Sequence, residues 1–286
     1  MKALFLNDIS RRARIMLVVV LAVLLVVPFV VNDYLLTFLI ITFYLAYTGQ
    51  AWNIMMGFAG QLSLGHALYV GLGAYTTAAL YVHFGLSPWL GLPLAIVIAA
   101  AAGAVIAFLA YRFHVAGVYF AILTIAFAEF ARIGFDHFGW VNGSSGLFLP
   151  VANYTQNDFW NLRGKPIMFY YMMLALTVAA LLLCHVLLRS RIGYFWQAIR
   201  EDEEAARALG IDTVRYKMLA VVLSAGMTSI AGVFFAFYYN NLFPEQVFSI
   251  ARSIDIILAP IFGGVGTLIG PILGAVVLEA LSEGMR

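Results

Sequence analysis

The polar residues of this chain with the most scope for chemistry are few, and they sit among glycines. Gln61, Ser63 and His66 are interleaved with Gly60 and Gly65 and run on towards Gly71 and Gly73. Thr267 follows Gly263, Gly264 and Gly266 in a second cluster of the same kind. Glycines let one backbone approach another, or approach a solute, and polar groups in apolar surroundings need partners. Two readings fit this pattern. The small residues could serve close helix packing, as in Ala67-x-x-x-Gly71, or the clusters could line a path for a small polar solute. On the second reading the lining residues are Gly60, Gln61, Ser63, Gly65, His66, Gly263, Gly264, Gly266 and Thr267. A faint internal echo links the clusters, since Gly57-Phe-Ala-Gly60-Gln61-Leu62 and Gly263-Gly-Val-Gly266-Thr267-Leu268 share one pattern. Six positions do not establish a duplication.

A third segment, residues 201–210, reads as a short helix with both ends marked. Asp202 suits the N-cap, Glu203 and Glu204 suit the positive end of the helix dipole, and Gly210 suits the residue beyond the C-cap. Phe195, Trp196, Ala198 and Ile199 supply apolar surface just before it, beside Arg200. Such a helix can dock into a partner's groove or lie on a membrane surface, and physical chemistry alone leaves both open.

Catalysis finds no support. The five histidines are scattered without metal-ligand spacing, and Cys184 is the only cysteine, so neither a thiolate cluster nor an intrachain disulfide can form. No G-x-x-x-x-G-K-[S/T] loop occurs, so this chain is not itself an ATPase, and Gly264-Val-Gly266 lacks the spacing of a dinucleotide fingerprint. Glu129, Asp255 and Glu279 fall near the ends of apolar segments and read as ordinary interfacial charges. No paired carboxylates or nucleophile–base constellation sits within any helix, and a net charge of +2 gives no basic patch for nucleic acid.

The elements that carry these residues are apolar throughout. Of 286 residues, 64% are hydrophobic and 10% charged, with a mean hydropathy of +0.96. Soluble domains carry about 25% charged residues. The composition predicts an all-α, polytopic transmembrane helical bundle in contact with lipid. Apolar segments lie at about 15–31, 35–56, 62–82, 89–111, 115–131, 168–188, 214–236 and 254–281, each near the roughly 20 residues of a spanning helix. The first follows Lys2, Arg11, Arg12 and Arg14. At 17 residues without an A-x-A site, it reads as a retained helix rather than a signal peptide. The last is long and interrupted by glycines and Pro271, which predicts a break at 263–267. Placing the N-terminus in the cytoplasm puts 12 of the 16 Lys and Arg in inner segments or at their helix ends, as the positive-inside rule requires. Residues 189–213 and 282–286 are then cytoplasmic, and 132–167 face outward. That outer segment holds Trp140 and Trp160 as headgroup anchors. Asn142-Gly-Ser and Asn153-Tyr-Thr match a glycosylation pattern that is common by chance.

Glu204-Ala205-Ala206-x-x-x-Gly210 resembles the core of the EAA motif of ABC-importer permeases, although the I-x-L-P that usually follows is absent. Gly60-Gln-Leu-Ser-Leu-Gly-His66 with Gly71-Leu-Gly-Ala-Tyr75, Asn142-Gly-Ser-Ser-Gly-Leu147, Ala198-Ile-Arg-Glu-Asp-Glu203 and Gly263-Gly-Val-Gly-Thr-Leu-Ile-Gly-Pro271 resemble, in this order, the LivM-like branched-chain amino acid permeases. The resemblance implies a non-catalytic permease subunit of a bacterial inner-membrane importer for branched-chain or related small amino acids or amides. It also implies a sister permease in a heterodimer, two cytoplasmic ATPase subunits and a periplasmic solute-binding protein. This chain would bind no cofactor, with ATP and Mg on the ATPase subunits. Arg200, Glu201, Glu204, Ala205, Ala206 and Gly210 would couple to those subunits, with the small residues at the contact. The alternative, an ion-coupled secondary transporter, calls for acidic or His relays at mid-membrane.

Overall fold

A computed structural model describes residues 11–150 and 157–284 of the chain, with side chains from residue 19 onward. Asn153-Tyr-Thr, Lys2 and Arg286 lie outside the described residues. The helices in chain order are α1 (Arg11–Val26), α2 (Asp33–Asn53), α3 (Ala67–Phe84), α4 (Pro88–Arg112), α5 (Val118–Asp136), α6 (Pro166–Arg189), α7 (Arg191–Glu201), α8 (Glu203–Ala208), α9 (Thr213–Tyr239), α10 (Pro244–Val247), α11 (Ile250–Gly263) and α12 (Gly270–Gly284). A π-helical turn, Ile54–Phe58, extends α2. The described strands are β1 (Leu147–Phe148) and β2 (Asn241–Leu242), paired antiparallel with Leu147 opposite Leu242. With no water in a bilayer core, backbone groups bond within their own segment, so helices are what this composition can build.

Local sequence accounts for the helix limits. Asn32 caps α2 by accepting from the Leu35 amide at 2.9 Å, and Ser87 with Pro88 starts α4. Gly85 ends α3 with φ +63°. Among the described residues six helices are long and apolar enough to cross a membrane: Asp33–Phe58, Pro88–Arg112, Val118–Asp136, Pro166–Arg189, Thr213–Tyr239 and Pro244–Gly263. α3, at 18 residues, is a further helix in the place expected for the third segment.

Helices α2, α3 and α9 form the centre. Backbones meet closely there, as a Cβ on Gly73 would overlap the Ser229 carbonyl and one on Gly232 would overlap that of Val70. Helix α4 packs through Ala95, Ala99, Gly103, Ala107 and Ala110, while Leu90, Leu94, Val97, Val105 and Phe108 face outward. Small residues inward and large apolar ones outward suit a helix between protein and lipid.

The bundle has two distinct ends. One, the arm end, holds residues 57–66, the α4–α5 turn, α7–α8 and the loop after α11. The other, the loop end, holds residues 137–150 and 157–165, the β1–β2 ladder and the α9–α11 connection. α1 finishes at the loop end, where the hydroxyls of Tyr170 and Tyr171 donate to the carbonyls of Leu24 and Leu25.

The last apolar segment departs from expectation. Residues 254–281 do not cross once with an interruption; α11 and α12 fold back on each other. Gly263 lies against Gly270, and Gly274 against Ala259, so close that a Cβ on either glycine would overlap backbone. Partners whose numbers rise on one helix and fall on the other make an antiparallel hairpin with its tip at 264–269. The end of α12 therefore returns to the loop end instead of emerging beside the arm. Glycines that read as a break are also the seam along which the two limbs touch.

Candidate functional site

The two glycine clusters, far apart in sequence, meet at the arm end. Asn53, on the last turn of α2, accepts from the Gly266 amide through Oδ1 (2.8 Å) and donates to the Thr267 carbonyl through Nδ2 (2.9 Å). Gln50, one turn earlier, donates to the Leu268 carbonyl. Gly57 packs against Gly266 with no room for a side chain on the former. The hairpin tip thus takes its backbone partners from two side-chain amides of α2. Gly266 has φ +80°, a conformation that disfavours any residue with a Cβ. Residues 264–269 are non-helical as expected, with Gly263 still the last residue of α11. Thr267 is exposed in this chain; its Oγ1 donates to the Gly264 carbonyl (2.8 Å) and accepts from the Gly270 amide (3.0 Å), which starts α12.

Arg200 joins the arm to this junction. Its Nη1 donates to the Gly57 carbonyl at 2.6 Å, its Nη2 pairs with Glu201 at 2.8 Å, and its aliphatic stem covers Gly60. One guanidinium on α7 therefore touches the end of α2 and sits beside the hairpin tip.

Ser63 and His66 are fully buried in a bonded network. His66 Nδ1 pairs with Ser63 Oγ (3.1 Å) and Nε2 with Ser224 Oγ (2.9 Å), while Ser224 donates to the Ala51 carbonyl (2.7 Å). Trp52 donates to the Ser63 carbonyl, Thr124 Oγ1 accepts from the Leu64 amide, and Ser253 Oγ accepts from the Ala67 amide. Gly65 lies on the Thr124 backbone with no space for a side chain. Gln61 is half-buried beneath the Tyr111 hydroxyl, which donates to it at 3.3 Å. The segment between α2 and α3 is thus held by side chains from α2, α5, α9 and α11.

The arm is built as its sequence suggests. Trp196, fully buried, donates through Nε1 to the Tyr216 carbonyl (2.7 Å) and fastens α7 to α9. Asp202 caps α8 by accepting from the Ala205 amide (2.9 Å), and Gly210 takes φ +84°. Glu203 pairs with Lys217 (2.8 Å) and Arg207 (3.0 Å), and the Lys217 ammonium lies 4.6 Å from the Tyr111 ring centroid. Burial works to raise the Glu203 pKa, but bonds from Lys217 and Thr213 and the charges of Lys217 and Arg207 outweigh it. The carboxyl is held below its ordinary value. Beyond these ties the arm presents an open face with Leu209 81% and Tyr194 65% exposed, flanked by Glu201, Glu204 and Ala205. Ala206 is turned inward and buried, so of the two alanines only Ala205 is open to a partner.

Sequence reasoning missed Gln50, Asn53, Thr124, Ser224 and Ser253. A signal existed for the first pair: two amides spaced i, i+3 in an otherwise apolar span need partners inside the protein. The serines and threonine carry no such mark, because hydroxyls satisfy themselves on their own helix backbone. Of the acids read as interfacial, Glu129 pairs with Arg132 on its own helix, whereas Asp255 and Glu279 line a cavity with Arg252 at the loop end.

A bundle of apolar helices whose interrupted segments meet beside a docked, end-capped arm defines a polytopic membrane transport subunit. The family model described as branched-chain amino acid transport system / permease component matches residues 34–286, and the chain belongs to that family. It is 32% identical over 296 residues to the high-affinity branched-chain amino acid transport system permease protein LivM of Escherichia coli strain K12, covering 96% of this chain and 69% of that protein. It is 31% identical over 147 residues to the permease protein LivH of Salmonella typhimurium, covering 50% of this chain and 43% of LivH. Over 112 residues it is 33% identical to the autoinducer 2 import system permease protein LsrC of Salmonella paratyphi B, covering 37% of this chain and 32% of LsrC. No solved structure matches the chain.

Proposed function

We propose that this chain is one of two permease subunits of an ATP-driven importer in a bacterial inner membrane, carrying branched-chain or related small amino acids or amides. In this reading the N-terminus and the arm face the cytoplasm, and a periplasmic binding protein delivers solute at the loop end. Two separate ATPase subunits, which hold ATP and Mg, dock on the arm. A sister permease supplies the other half of the path; in this chain Gly60, Gln61, Gly266 and Thr267 are open enough to line it, whereas Ser63, Gly65 and His66 are buried and serve the packing of the bundle. The observation that carries the reading is Arg200. A residue of the docking arm reaches the α2 terminus and lies against the hairpin tip, so displacement of α7–α8 has a direct contact through which to act on both interrupted segments. An ion-coupled transporter would need a titratable relay; both nitrogens of His66 are taken up by serine hydroxyls, which leaves Asp255 and Glu279, beside Arg252 in one cavity, as the groups on which that rival would have to rest.

The test pairs transport with subunit capture. In membranes holding all importer subunits, Ala205→Trp places bulk on the exposed face of α8 and Gly210→Val forces a β-branched residue into a left-handed conformation. Overpacking a tight contact costs about 1–3 kcal/mol, and Gly210→Val distorts the end of α8 through its positive φ; both variants are expected to lose ATPase pull-down and coupled uptake while inserting normally. A cysteine at 205 in a Cys184→Ala background is expected to label only from the cytoplasmic side. Wild-type capture and uptake in both variants, or labelling from outside, would sink the proposal.

A further inference from the structure

At the loop end, α2, α9, α11 and α12 enclose a cavity of about 230 Å³. One part of its wall is apolar, with Ile40, Leu45 and Phe234, and another carries Arg252, Asp255 and Glu279. The volume lies below the roughly 300–1,000 Å³ of drug-sized ligand sites and suits a smaller solute.

Two buried polar atoms here, on Tyr44 and Arg252, have no partner among the described residues. The Tyr44 hydroxyl is buried, on a residue 4% exposed, and bonds to no described residue. The Arg252 guanidinium stacks on Phe235, 4.7 Å from the ring centroid, with Nε buried and unbonded. It makes no ion pair with a described residue. Asp255, one turn further along α11, lines the same cavity as an exposed carboxylate with no hydrogen-bonded partner among the described residues. Buried polar groups are nearly always bonded, so the Tyr44 hydroxyl and Arg252 Nε, both buried without a described partner on one space, mark a place where something else supplies the bonds. A cation, an anion and a hydroxyl donor beside an apolar wall are complementary to one ligand class. A guanidinium takes a carboxylate, a carboxylate takes an ammonium, and the wall takes an aliphatic side chain.

We infer that this cavity is a binding site for a zwitterionic amino acid with an apolar side chain, its carboxylate on Arg252 and its ammonium on Asp255. The inference rests on the importer reading, because it makes the cavity the place where released solute is first held by this chain.

The experiment uses membranes with the full set of subunits, a Cys184→Ala background and Ser282→Cys on the cavity wall. Labelling of the new cysteine by a small thiol reagent is followed with leucine as the probe, alongside leucine uptake by the wild-type importer. Leucine is expected to slow labelling, while its deaminated and decarboxylated analogues protect poorly. Arg252→Gln or Asp255→Asn should raise the half-protecting leucine concentration about tenfold or more, as expected for losing a charged hydrogen bond. If Arg252→Gln fails to insert, Asp255→Asn and the two analogues carry the same test. Uptake without protection, or equal protection by both analogues, overturns the cavity assignment alone. Loss of sister-permease capture in the charge variants, again without protection, makes the cavity a subunit interface and also overturns it. A wild-type importer that moves no amino acid brings down the importer reading and this inference together.

Discussion

The two ends of this bundle treat their polar groups in opposite ways. At the arm end the carbonyls and amides exposed by two helix interruptions meet side chains that fit them: Asn53 on Gly266 and Thr267, Gln50 on Leu268, and Arg200 on Gly57, with the buried Gln50 Oε1 left over. At the loop end Arg252, Asp255 and the Tyr44 hydroxyl surround a space and bond to no described residue. Both ends are polar patches in an apolar protein, and both would look alike to a hydropathy scan. The difference lies in whether each donor has its acceptor within the chain. Where it has, the patch is a fixed joint; where it has not, the patch is open to another molecule.

The comparison breaks most sharply at Asn53. Asn53→Leu leaves an amide and a carbonyl of the hairpin tip without partners, and each such loss costs about 1–3 kcal/mol when buried. Thermal unfolding of the purified chain should show a large drop, and a melting temperature close to wild type would mean that the joint is not a joint. Arg200→Ala comes next. It removes a charged hydrogen bond of about 1.5–3 kcal/mol, with some relief from the solvent-facing Glu201 pair. Coupled uptake should fall steeply while ATPase capture persists, because the docking face is untouched.

Glu203 provides a smaller, pH-dependent effect. Its folded pKa lies below the unfolded carboxylate value of about 4.3, so its contribution is present in full above that value. It is lost as pH falls through the lower, folded pKa. Hydrogen exchange in α8 should therefore be unchanged from neutral pH down to about pH 5 and accelerate only below about pH 4. Glu203→Gln should remove that acid response at a cost of about 1 kcal/mol. The smallest expected effect lies at the other end. Tyr44→Phe deletes a hydroxyl that bonds to no described residue, so without solute its stability should change by no more than about 0.5 kcal/mol. A large loss would show that the hydroxyl has a partner within the bundle, and the contrast between the ends would weaken.

Much of this architecture was legible from residue types. Apolar runs gave the helices, Asp202 and Gly210 marked both ends of α8, and Gly263–Gly266 with Pro271 marked an interruption. The hairpin was not legible, because a glycine-rich stretch that ends a helix says nothing about the direction the chain takes next. Direction was decided by packing, in the fit of Gly274 against Ala259. The meeting of the two glycine clusters was visible only as a weak echo, since pattern similarity carries no distance. The loop-end cavity was not legible for a related reason. Asp255 and Glu279 each lie near the end of an apolar run, and a one-dimensional reading sends such charges to water. Only folding α12 back onto α11 brings them to one wall.

That fold gives the hairpin a mechanical character. α11 has 14 residues, so it is a rod about 21 Å long at 1.5 Å per residue. Its tip is gripped by Asn53 and Gln50 beside Arg200, and its other limit carries Arg252 and Asp255. A rod held at one end is a lever: tilting it by roughly 5° at the tip carries the far end through about 2 Å over that length. Two angstroms is enough to make or break a hydrogen bond. The grip at one face of the bundle and the cavity at the other are thus opposite ends of a single rigid piece.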